Sequence, residues 1–113
     1  MKKTEPKYRR ITFRVTTDAP LPVGEQVFVT GNLPSLGEWA PDGLPLTRVD
    51  DTIWSSSVDV PVGERVEFKI TRGDWQSEAL GTEGPTRNLT IQPGSRDLTV
   101  NHFVTGWLDQ AIA

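Results

Sequence analysis

Six short runs of alternating or β-branched residues, recurring between turn signals, restrict this chain to β architecture. They are Ile11-Thr12-Phe13-Arg14-Val15-Thr16, Gln26-Val27-Phe28-Val29-Thr30, Thr52 to Val58, Arg65-Val66-Glu67-Phe68-Lys69-Ile70, Asn88-Leu89-Thr90-Ile91 and Asp97-Leu98-Thr99-Val100. A period of two sends alternate side chains to opposite faces, so Ile11, Phe13 and Val15 share one apolar face and Val66, Phe68 and Ile70 another. Lys69 and Glu67 then point away from the core. The breakers include Pro20-Leu21-Pro22-Val23-Gly24, Pro41-Asp42-Gly43, Asp50-Asp51, Pro61-Val62-Gly63 and Pro93-Gly94-Ser95, each supplying a fixed φ, a positive φ or an Asx turn. Further short strands are expected around 44–48 and 76–80, and helical spacing is absent before the tail 106–113. Strands at this spacing without crossover helices imply an all-β, antiparallel, immunoglobulin-like sandwich of about 7–8 strands.

With 113 residues, the chain fits one domain with one core. An N-terminal tail is expected over 1–10, the sandwich over 11–104 and a C-terminal tail over 105–113. Hydrophobic content of 35% and charged content of 24%, with ten Gly and nine Pro, fit a turn-rich globular chain. No apolar run approaches the roughly 20 residues that a bilayer-spanning helix requires, so no membrane partner is expected. The formal charge of −3 disfavours nucleic acid, whose binding rests on clustered Lys and Arg. The basic cluster Lys2, Lys3, Lys7, Arg9 and Arg10 is broken by Glu5 and Pro6 and reads as a solvated tail; no apolar segment of a secretory signal follows its lysines. With no cysteine, thiolate metal sites and disulfides are excluded. The single His102 reads as an ordinary hydrogen-bonded strand histidine, and no metal or cofactor is expected.

Function is most visible in Gly31-Asn32-Leu33-Pro34-Ser35-Leu36-Gly37-Glu38-Trp39, which leaves an apolar strand and ends by placing an indole in a turn. A tryptophan there either caps the core or offers its face to a ligand, and sugar is a natural candidate. Trp75, after Gly73-Asp74, carries the same two readings. Trp54 opens a strand and reads as structural, and Trp107 as an anchor of the tail.

From about Ile11 to Val104 the chain resembles a starch-binding domain, carbohydrate-binding module family 20. The motifs are Val27-Phe28-Val29-Thr30-Gly31, Leu36-Gly37-Glu38-Trp39, Trp54 in a strand ending at Val60-Pro61-Val62-Gly63, Glu67-Phe68-Lys69-Ile70, a following loop Trp, and Arg87 before Leu89-Thr90-Ile91. The resemblance implies a two-sheet β-sandwich and a platform for two glucose rings made by Trp39 and Trp75, with Lys69 as hydrogen-bond donor. Glu78 and Gln76 are polar neighbours, and Asn88 stands one position after the expected Asn-Arg pair, which appears as Thr86-Arg87. Two angled indoles would suit the curved chain of an α-1,4-glucan: starch, a maltooligosaccharide or a cyclodextrin. Only five residues separate Lys69 from Trp75, as in accessory domains beside bacterial hydrolases. Val23 stands where the first tyrosine of a second sugar site is expected, so a full second site is not.

The resulting expectation is a monomeric, non-catalytic module that binds α-glucan and targets a linked hydrolase to it. The alternative is a structural or protein-interaction domain of a hydrolase with a degenerate sugar site. Catalysis is not expected. Asp50-Asp51, Glu83, Glu38 and Asp42 are scattered over turns, and no nucleophile elbow or phosphate loop is present.

Overall fold

The alternation of Ile11, Phe13 and Val15 is realised in β1 (Tyr8–Thr17), where all three are buried. The computed structural model describes residues 7–81, 84–85 and 88–110; Glu83, Thr86, Arg87 and the first six residues lie outside these. β2 (Phe28–Gly31), β3 (Leu44–Pro45), β4 (Thr47–Asp50), β5 (Ile53–Pro61) and β6 (Val66–Thr71) follow. After them come β7 (Ala79–Gly81), β8 (Gly84–Pro85), β9 (Leu89–Ile91), β10 (Leu98–Val104) and β11 (Gly106–Trp107).

The strands form two four-stranded sheets, β10-β1-β5-β4 and β3-β2-β6-β9, with a small third sheet β11-β7-β8. The fold is the expected β-sandwich. Among the described residues all ladders are antiparallel except one, since β10 runs parallel to β1 with Val15 opposite His102. No tight turn joins β1 to β10, so no hairpin imposes the opposite direction. Between the large sheets Phe13 meets Phe68 edge-on, with ring centroids 5.0 Å apart. Val27, Val29, Leu36, Trp54, Val60, Val66 and Ile70 are among the other buried members of this core.

Three details differ from the sequence reading. The tail from Gly106 forms β11, paired with Leu80 and Ala79, followed by a 3₁₀ turn at Leu108–Gln110. Trp107 explains the change: it is buried, and an extended start seats it against β7. Arg9 and Arg10 belong to β1, with Arg9 donating to the Gly94 carbonyl and the Arg10 amide to Asp97. His102 also departs from an ordinary hydrogen-bonded histidine, because its buried Nε2 finds no partner among the described residues.

Candidate functional site, a roofed sheet face with two tryptophan turns

The β2–β6 register sorts this sheet into an inner and an outer face. Val29 lies opposite Ile70, and Gly31 opposite Phe68, on the core side. The outer face therefore carries Phe28 opposite Thr71, Thr30 opposite Lys69, and Glu67 opposite Thr90 of β9. An outer face normally meets water, yet Thr30 and Thr71 are both fully buried. At this face the Pro41 carbonyl and the Gly73 amide meet Thr71, and Gly73 lies against Phe28.

The first turn is the 3₁₀ segment Pro34–Trp39. Leu36 anchors it by full burial in the core. Gly37 follows at φ 79°, where a Cβ would come within 2.7 Å of the Gly43 Cα. Glu38 at φ 48° and Trp39 at φ 71° continue the left-handed path. Two successive non-glycine residues there cost about 1–2 kcal/mol each. The backbone is held by Leu33, whose carbonyl accepts from the Leu36 and Glu38 amides, and by the Ala40 amide donating to Gly37. The Leu-Gly-x-Trp spacing thus has a physical reading: a core anchor, a close backbone approach, and a strained step that turns the partly exposed indole off the core.

The second turn follows β6 and contains the 3₁₀ segment Trp75–Ser77. Asp74 caps it, its Oδ1 accepting the Ser77 amide at 2.8 Å. The Arg72 amide donates to Ser77 Oγ at 3.0 Å. Gly73 passes over Phe28, and Trp75 is left 36% exposed at the crest.

One hydroxyl joins the two turns. Thr71 Oγ1 donates to the Pro41 carbonyl at 2.6 Å and accepts the Gly73 amide at 3.0 Å. Pro41 lies two residues after Trp39, and Gly73 two before Trp75. The turn segments bearing these indoles therefore share an anchor, on the outer face of one sheet.

Of the polar residues singled out in the sequence, Lys69 and Glu78 pair with each other and Asn88 with Glu67. Lys69 Nζ donates to Glu78 Oε2 at 3.0 Å, with the side chains 21% and 10% exposed. Asn88 Nδ2 donates to Glu67 Oε1 at 3.1 Å, on an exposed rim that also holds Arg65. Gln76 is exposed in the second turn. Among the described residues no group of three His, Cys, Asp or Glu side chains is placed to hold a metal ion.

The sequence profile of the starch binding domain matches residues 8–101. The chain belongs to the starch-binding domain family, carbohydrate-binding module family 20. It is 35% identical over 107 residues to an α-amylase of Niallia circulans, an alignment spanning 94% of this chain and 8% of that protein. An α-amylase of Streptomyces violaceus is 35% identical over 91 residues, 80% of this chain and 16% of that protein. This chain therefore spans a small part of the curated relatives it matches. Among solved structures it is similar to the family 20 module of the maltotetraose-forming amylase from Pseudomonas saccharophila STB07. There the TM-score is 0.64 and the identity 24%, over 83% of this chain and 98% of that one.

For this starch-binding domain, sequence reasoning missed Thr71 and Arg72. Thr71 ends a strand run where a threonine is unremarkable, so nothing local marks its hydroxyl as a bridge. Arg72 sits in a turn beside Gly73-Asp74, where no local feature marks it for burial. Yet its guanidinium lies 5.2 Å from the Trp107 ring centroid, donating to Glu25 at 2.6 Å and to Asp109. Burial lowers the Arg72 pKa, but the hydrogen bonds and charges of Glu25 and Asp109 outweigh it and raise the pKa overall.

Proposed function

We propose that this domain is a non-catalytic α-glucan-binding module that lays glucose rings on Trp39 and Trp75. Lys69, Glu78 and Asn88 supply polar groups at the edge. One face of a pyranose is lined by C–H groups, so it can lie flat on an indole while its hydroxyls reach hydrogen-bonding partners in the ring plane. The observation that carries the reading is the Thr71 hydroxyl, which ties the backbone of both tryptophan turns to one sheet face. The left-handed backbone at Glu38 and Trp39 supports it, since strain of this kind concentrates at ligand sites.

The relatives named above are amylases of which such a domain is a small part. We therefore assign the module, with its body at 11–104, to holding a linked hydrolase on its polymer by avidity. Titration with β-cyclodextrin, followed by tryptophan fluorescence and amide shifts, tests the binding reading. A saturable change at millimolar ligand is expected; a flat titration sinks it.

A second reading is a protein-interaction domain with a degenerate sugar site. The pairing of Lys69 with Glu78 and of Asn88 with Glu67 favours it, because those groups already satisfy one another. In that case β-cyclodextrin leaves the spectra unmoved, and a co-expressed hydrolase domain protects Trp39 and Trp75 from solvent quenchers.

A further inference from the structure

The Trp75 turn is held on its far side by a cluster that makes no part of the proposed platform. Arg72 reaches away from the turn, sends one nitrogen to Glu25 in the 18–27 connection and the other to Asp109 in the Leu108–Gln110 segment, and lies over the indole of Trp107. Its side chain is only 11% exposed. A guanidinium matches this task because its planar fork serves two carboxylates while its face covers an aromatic ring. A second tie runs beside it: the Leu108 amide donates to the Glu78 carbonyl at 2.8 Å. Glu78 is the residue whose carboxylate holds Lys69. The C-terminal 3₁₀ turn is thus bound to the Trp75 turn at both of its ends, through Arg72 before the indole and Glu78 after it.

On the reading of Trp75 as half of a glucan platform, we infer that Arg72 and Asp109 are positioning residues for that platform. The clasp between the C-terminal turn and the Trp75 turn fixes the height and angle of the second indole, so glucan affinity depends on a contact that the glucan never touches. The backbone carries the effect. The Arg72 amide is accepted by Ser77 Oγ, and Ser77 closes the Asp74 cap, so a displaced Arg72 opens the turn on which Trp75 stands. Two indoles preset to a curved ligand bind it without ordering cost, and loosening one restores that cost.

The experiment is a double-mutant cycle on the full chain, with β-cyclodextrin as the probe. Asp109 is partly exposed, so Asp109→Asn removes the charge at the outer end of the clasp with little risk to the core; Glu25→Gln does the same at the other arm. Arg72→Lys keeps the charge and loses the fork. Asp109→Asn is expected to weaken binding by about five-fold, the lower end of measured couplings. It should also shift and broaden the Trp75 indole N–H resonance while leaving that of Trp39 in place. In a Trp75→Ala background, where binding rests on Trp39, the same substitution should have no effect. Unchanged affinity in Asp109→Asn, or an equal loss with and without Trp75, overturns the inference. If Trp75→Ala alone binds as tightly as the unsubstituted chain, the platform reading itself falls, a separate result.

Discussion

The strand framework and the two turns linked through Thr71 hold two tryptophans each, and hold them by different physics. Trp54 and Trp107 sit on strands with 2% and 4% exposure, each beneath an arginine at 5.3 and 5.2 Å. Trp39 and Trp75 sit on 3₁₀ turns, partly open, with the surrounding backbone fixed by caps, a buried leucine and one threonine hydroxyl. The first pair is held by what packs around the ring, and the second by what fixes the chain beneath it. Composition does not separate the pairs. The elements that carry them do, and this tells core indoles from candidate ligand platforms.

The sharpest way to break the comparison is to exchange the penalties. Trp54→Ala removes a large buried side chain and should cost about 3–5 kcal/mol of stability, read by urea denaturation. Trp39→Ala should leave stability within about 1 kcal/mol, as expected of a partly exposed site. It should also remove about 2 kcal/mol of glucan binding, taking roughly 80 Å² of ring face at about 25 cal/mol per Å². If Trp39→Ala unfolds the domain, that indole belongs with the core pair.

Thr71→Val addresses the link between the two turns. The substitution keeps shape and volume but leaves the Pro41 carbonyl and the Gly73 amide without their shared partner. A buried polar group so stranded costs about 1–3 kcal/mol. Urea denaturation should show a loss in that range, and β-cyclodextrin titration a drop in affinity of several-fold. Full affinity at reduced stability would mean that the turns keep their places without the bridge.

Much of the framework was legible because period-two alternation is a local signal. Val66, Phe68 and Ile70 announce an inner face in the sequence itself, and the register then puts Glu67, Lys69 and Thr71 on the other. The turns were legible only in part. Gly37 and Gly43 mark a turn but not that their backbones touch, and nothing near Asn88 says that Glu67 will take its amide. The parallel partner of β1 was hidden for a further reason. Pairing between chain segments more than 80 residues apart leaves no mark in either segment, and the missing hairpin removes the one cue to direction. Thr71 and Arg72 fall in the same class, because their partners at Pro41, Glu25 and Asp109 are joined to them only by the finished fold.

The smallest expected effect belongs to His102, which tests whether acid acts on the framework or on the turns. His102 lies on β10 beside Val15, and burial lowers its pKa below the ordinary value of 6.5. The folded state therefore holds this imidazole neutral under conditions where the unfolded chain protonates it. Its contribution to stability is fully present above about pH 6.5 and is lost as pH falls from there through the lowered folded value. The slope stays below about 1.4 kcal/mol per pH unit, the ceiling for one proton. Urea denaturation between pH 7.5 and 5.5 should show this decline, and His102→Gln should flatten it. The substitution should leave β-cyclodextrin affinity at pH 7.5 unchanged, because β10 belongs to the sheet opposite the tryptophan turns. A His102→Gln variant with the original slope would move the source of acid sensitivity away from β10.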